Sequence, residues 1–89
     1  EMKTKIGFNL RQICGENVII AEGEENIDFS NIISMNESSA YLWKNIQDKE
    51  FSEVELVKLL TEEYDVDEIT AKSDVDSLVK SWLNAGIIE

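Results

Sequence analysis

Apolar residues recur at every second position near the start of the chain and pass to helical spacing beyond residue 36. In Ile6-Gly-Phe-Asn-Leu-Arg-Gln12 the apolar residues Ile6, Phe8 and Leu10 alternate with polar ones, which predicts a half-buried strand. Val18-Ile-Ile-Ala21 is a second, β-branched run. Between them Gly15-Glu16 suits a two-residue hairpin loop of type II′, with glycine taking the positive φ. Glu22 to Asn26 reads as an acidic, glycine-containing loop, and Ile32 to Met35 as a third strand.

The remainder predicts three helices. Asn36 is a suitable N-cap for a helix reaching about Gln47, with Ala40, Tyr41, Trp43 and Ile46 facing a core. Ser52-Glu-Val-Glu55 has the spacing of a capping box, and opens a helix carrying Val54, Val57, Leu60 and Tyr64. Asp67 caps a third helix that runs to about Ala85, with Gly86 at the left-handed position that ends it. On that helix Ala71, Val75, Leu78, Val79, Trp82 and Leu83 share one apolar arc. One flank alternates in charge through Glu68, Lys72, Asp76 and Lys80, the pattern of a solvated face. The other flank, Thr70, Asp74, Ser77 and Ser81, is short throughout and lets another backbone come close. The expected fold is α+β and winged-helix-like: a three-stranded antiparallel sheet followed by three helices.

Charge narrows the partners. Nineteen acidic residues against eight basic ones give a net charge of −11, which makes nucleic acid and anionic membrane poor partners. A basic or neutral peptide is the better electrostatic match. Residues 2–89 are expected to form one domain, with Glu1, ahead of Met2, a leftover of cloning. A single cysteine, Cys14, cannot form an internal disulfide and favours a reducing compartment, so the cytoplasm is the expected location.

Chemistry is thinly represented. The chain has no histidine, so neither a Ser-His nor a Cys-His pair can form, and the usual zinc or iron–sulfur ligands cannot be assembled. The four glycines stand singly and build no phosphate loop. No cofactor and no catalytic residue are expected. Asp76-Ser77-Leu78 matches the triplet at which carrier proteins take a phosphopantetheine arm. In those proteins, however, the serine opens the second of four helices, whereas Ser77 lies inside the last. A DNA-reading helix would need a basic footprint, and Lys72 and Lys80 are interleaved with acids.

Three segments resemble the PqqD family in order and spacing. Leu10-Arg11, Gly15-Glu16 and Val18-Ile-Ile20 look like its opening hairpin. Met35-Asn36-Glu37, followed by Ala40 and Trp43, looks like its strand-to-helix junction. Tyr64-Asp-Val66, Asp74-Val75, Leu78-Val79 and Ala85-Gly86-Ile87 look like its closing helix. Methionine at 35 replaces the usual leucine, and Trp82 stands where an aliphatic residue is usual.

The resemblance implies a non-catalytic peptide chaperone, the recognition element for the leader of a ribosomally made, post-translationally modified (RiPP) precursor peptide. In the prototype that precursor leads to pyrroloquinoline quinone (PQQ) and is presented to a radical SAM enzyme; related domains serve lasso and thioether peptides. The leader is added as a strand on the third β-strand, against the third helix. Transferred to this chain, Asn31, Ile32, Ile33, Ser34 and Met35 would supply the backbone ladder. Val75, Leu78 and Trp82 would form an apolar floor, Ser77 and Ser81 would leave room, and Asp74 would meet a leader amide or cation. The alternative is a winged-helix-like protein adaptor or transcription regulator using the same surface. An open sheet edge could also pair two copies, so a homodimer stays open.

Overall fold

The computed structural model describes residues 1–22 and 32–89. The acidic loop expected at Glu22 to Asn26 lies, beyond Glu22, outside the described residues, and so does Asn31. Strands β2 (Phe8–Ile13), β3 (Glu16–Ala21) and β4 (Ile33–Met35) form an antiparallel sheet in the order β2-β3-β4. Helices α1 (Glu37–Ile46), α2 (Glu53–Glu63) and α3 (Glu68–Ala85) follow. The architecture is α+β, as the periodicity predicts.

Two short strands escape that periodicity. β1 (Met2–Lys3) pairs antiparallel with β5 (Glu50–Phe51), which lies between α1 and α2. The Lys3 N–H donates to the Glu89 carbonyl and the Glu89 N–H returns to Lys3, both at 2.8 Å, so β1 is held between β5 and the C-terminal segment. Ile87 and Ile88 are thereby buried. The Thr4 hydroxyl, itself buried, accepts from the Asp48 N–H at 2.8 Å and fixes the turn leading into β5.

The first hairpin strand, β2, begins two residues later than expected. Gly7 has φ 94°, which breaks the extended run, and Ile6 ahead of it is 90% exposed. The hairpin loop is Cys14-Gly15 instead of Gly15-Glu16, because Ile13 and Glu16 are paired across the ladder. Both loop residues have positive φ, 53° at Cys14 and 82° at Gly15, which is a type I′ turn. Cysteine pays roughly 1 kcal/mol for that left-handed backbone. Cys14→Asn should therefore stabilise the domain by about 0.5–1 kcal/mol, read as a rise in the urea midpoint at unchanged slope.

One face of the sheet meets the helices. Ile19 is fully buried, and Phe8, Leu10, Ile33 and Met35 pack with it against Leu42, Trp43 and Ile46 of α1. Trp43 and Trp82 meet edge to face at 5.3 Å and tie α1 to α3. A polar chain closes the side of this layer. The Trp43 indole donates to Gln47, Gln47 to Asn9 and Asn9 to Glu22, which also pairs with Arg11 at 2.8 Å.

Helix ends follow the capping residues. Asn36 Oδ1 accepts from the Ser39 N–H at 2.8 Å, Ser52 Oγ from Glu55 at 3.3 Å and Asp67 Oδ1 from Thr70 at 2.7 Å. Gly86, at φ 76°, closes α3 while the Ile87 N–H reaches back to Trp82, the paired bonds of a Schellman ending. The Thr70 backbone N–H, helped by the Thr70 hydroxyl, holds the Asp67 carboxyl below its ordinary value of 3.8. Its contribution to stability is therefore complete above that value and lost as pH falls through the lower folded one. Asp67→Asn should flatten this part of the acid limb in urea midpoints measured as the pH is lowered.

The buried face of α2 differs from expectation. Leu56 and Leu60 point inward, and Val54 is 78% exposed. Apolar side chains at 54, 56, 57, 59 and 60 cover most of the helix circumference, so spacing alone does not select the inward arc. On α1, Leu42 is buried and Tyr41 only half-buried. On α3, Leu83 is 48% exposed.

Candidate functional site

β4 stands at one edge of its sheet. Among the described residues it pairs with β3 alone, in the register Asn17 to Met35, Val18 to Ser34 and Ile19 to Ile33. Its outer side therefore presents backbone N–H and C=O groups of the kind that accept a further strand. Ile33 and Met35 point to the helix side, while Ser34 points away and is exposed. Ile32, just ahead of the strand, is 53% exposed.

The strand stops at Asn36, whose side chain turns the chain into α1 by accepting from both the Ser39 N–H and the Ser38 hydroxyl. From this junction a groove of about 530 Å³ opens between α1, the end of α2 and α3. Asn36, Ser38 and Ser39 line it from the junction between β4 and α1. Leu42, Leu60, Val75 and Leu78 form an apolar floor, all but Leu78 buried. Ser77 and Ser81 form the α3 wall with Asp74, all three exposed; Tyr64 and Val66 complete the lining.

Five of the six residues expected from α3 thus come together: Asp74, Val75, Ser77, Leu78 and Ser81. Trp82 does not line the groove, and its expected place in the floor is corrected. It is 2% exposed and packed on Trp43, so it supports the floor from behind. The cause is the narrow arc of α3: Val75, Val79 and Trp82 face the core, and the flank rotated from them is what solvent reaches. The serines of that flank leave the groove unfilled.

Spacing does not reveal the lining from α1, α2 and the segment that joins α2 to α3. Asn36 was legible as a cap, but nothing in the sequence placed Leu42, Leu60, Tyr64 and Val66 around one opening. Tyr64 stacks edge to face with Tyr41 at 5.9 Å. Its phenol is pushed up from the ordinary value of 10.0, first by loss of solvent and then by the Glu37 and Glu63 carboxylates. At neutral pH it is an uncharged hydroxyl that can both donate and accept.

A second cavity, of about 600 Å³, lies between α2 and the charged flank of α3 and is lined by Val54, Val57, Glu53, Lys72 and Asp76. A hydrogen bond with Asp76 is the main cause that raises the Glu53 carboxyl above its ordinary 4.5, and burial adds to it. Neither cavity is lined by β4 itself, but the groove includes Asn36, Ser38 and Ser39 from the junction directly after β4, and the second cavity includes none of them. Among the described residues no group of three or more His, Cys, Asp or Glu side chains could hold a metal. No helix among them is long and apolar enough to cross a membrane. Every buried side-chain nitrogen and oxygen among them has a partner, so the groove can select by shape, exposed polar groups and backbone pairing.

The family model described as coenzyme PQQ synthesis protein D (PqqD) matches residues 16–88. No curated protein and no solved structure matches the chain. The matched span runs from the start of β3 through the groove residues of α3 to Ile88.

Proposed function

Since this chain belongs to the PqqD family, we propose that it is a non-catalytic chaperone for the leader of a ribosomally made precursor peptide, which it presents to a modifying enzyme of the radical SAM class. The observation that carries this reading is the groove of about 530 Å³ opening at the end of an edge strand. An extended leader would extend the sheet beyond β4 through Ile33, Ser34 and Met35. Side chains on the same face as Ile33 and Met35 would drop toward Leu42, Leu60, Val75 and Leu78. Backbone bonds supply affinity in this mode, and pockets for alternate side chains supply selectivity.

The magnitudes suit a carrier that must let go. A few backbone hydrogen bonds, each worth about 1 kcal/mol net, and one or two filled pockets support micromolar binding, near −8 kcal/mol. Titration with candidate leader peptides, followed by amide chemical shifts, tests the reading. Shifts should cluster on Ile33–Met35 and along Asp74–Ser81. Shifts confined to Val54, Val57 and Lys72, around the second cavity, would move the site away from β4 and defeat it.

A further inference from the structure

The groove has a one-sided electrostatic lining. None of the chain's eight basic residues lines it, and among the described residues Asp74 supplies its one carboxylate. Asp74 has no hydrogen-bond or ion-pair partner among the described residues, in contrast to Asp67, the cap about two turns earlier on the same helix. The positive end of α1 also meets the groove, but Asn36 Oδ1 already takes the Ser39 N–H and Glu37 occupies the first turn. Glu37 and Glu63 lie close enough to Tyr64 to bear on its phenol, so the opening is flanked by further negative charge. The Tyr41–Tyr64 pair adds aromatic surface of the kind that attracts cations.

We propose that Asp74 and Tyr64 form a cation subsite, and that the peptide this groove takes carries a lysine or arginine two residues from an apolar side chain seated on Leu78. The inference rests on the peptide-binding reading above and specifies its ligand. The spacing follows from helix and strand geometry. Asp74 and Leu78 are i,i+4 neighbours on α3, about 5–6 Å apart at Cβ. Residues i and i+2 of an extended peptide project to the same side and lie about 6.6–6.8 Å apart. One alternating pair of peptide side chains therefore spans from Leu78 to Asp74. The cation loses little water at this open rim, so its role is selection more than affinity.

Display selection of random, unstructured short peptides tests this, run in parallel on the unsubstituted protein, Asp74→Asn, Asp74→Lys and Ser77→Gln. Peptides selected by the unsubstituted protein should carry an apolar residue and a Lys or Arg two positions apart. Against Asp74→Asn a selected peptide should lose about fivefold in affinity at low salt, and less at high salt. Asp74→Lys should shift the preference to Asp or Glu. Peptides that lose binding to Ser77→Gln but show no basic preference, or the same preference against Asp74→Asn, would overturn the cation subsite and leave the groove standing. If no selected peptide responds to Ser77→Gln, the peptide-binding reading itself fails. Asp74 is exposed and asparagine has about the same helix propensity as aspartate, so each variant can be confirmed as folded by its thermal transition.

Discussion

Ser77→Arg or Ser81→Arg abolishes binding of a leader peptide while the domain stays folded. Both serines are exposed on α3 and line the groove, so the arginine stem and guanidinium fill space that the peptide would take. Neither side chain contributes to the core cluster. Arginine is a better helix former than serine, so stability should change by no more than about 0.5 kcal/mol. From a micromolar starting point, a loss of at least about 100-fold, or roughly 2.7 kcal/mol, puts the complex beyond ordinary titration. Calorimetry or fluorescence anisotropy reads the affinity, and thermal unfolding reads the fold. Affinity retained in both variants would remove the α3 wall from the site.

Trp43→Ala has the largest expected effect on stability. The indole is fully buried, meets Trp82 at 5.3 Å and donates to Gln47 at 3.1 Å, at the head of the polar chain through Asn9 to Glu22. Truncation removes this packing and leaves a cavity between α1 and α3, at a cost of about 3–5 kcal/mol. A domain of this size has roughly 4–13 kcal/mol in total. The midpoint of thermal unfolding should fall by roughly 12–40 °C. Trp43→Phe keeps most of the ring packing and loses the indole hydrogen bond, so it should cost less than half as much. A small effect of Trp43→Ala would mean that the α1–α3 contact does not hold the groove floor.

Much of the fold could be read from pattern because local chemistry and tertiary structure agree here. Asn36, Ser52 and Asp67 each cap the helix they precede, and Gly86 ends α3 in the left-handed conformation. The misplacements arise where local signals are ambiguous. Gly15 marks the hairpin, but Cys14 gives no sign in the sequence that it adopts φ 53°, so the pattern alone puts the loop one residue late. β1 and β5 are two residues each, too short for any period, and are fixed by pairing between segments far apart in the chain. α2 is apolar on so many sides that only its neighbours select Leu56 over Val54.

The site was half legible for a related reason. The short flank of α3 is a one-dimensional feature, and Asp74, Ser77 and Ser81 follow from helical spacing. Leu42 and Leu60 reach the groove through the packing of α1 and α2, and Tyr64 and Val66 from the segment that joins α2 to α3, which no spacing within one helix encodes. Trp82 belongs to the same apolar arc as Val75 and Leu78, and the arc alone does not say which of its sides faces the groove. Its size lets it span to Trp43, and the core takes it.

Backbone amide exchange at β4 addresses the central idea most directly. A leader laid against the sheet must hydrogen-bond to the outward amides among Ile33, Ser34 and Met35, which pair with β3 alone among the described residues. Their exchange should slow markedly when the leader peptide is added at saturation, and Ser77→Arg should cancel the slowing. Unchanged exchange at the outward amides, with the peptide demonstrably bound, would contradict strand addition at β4.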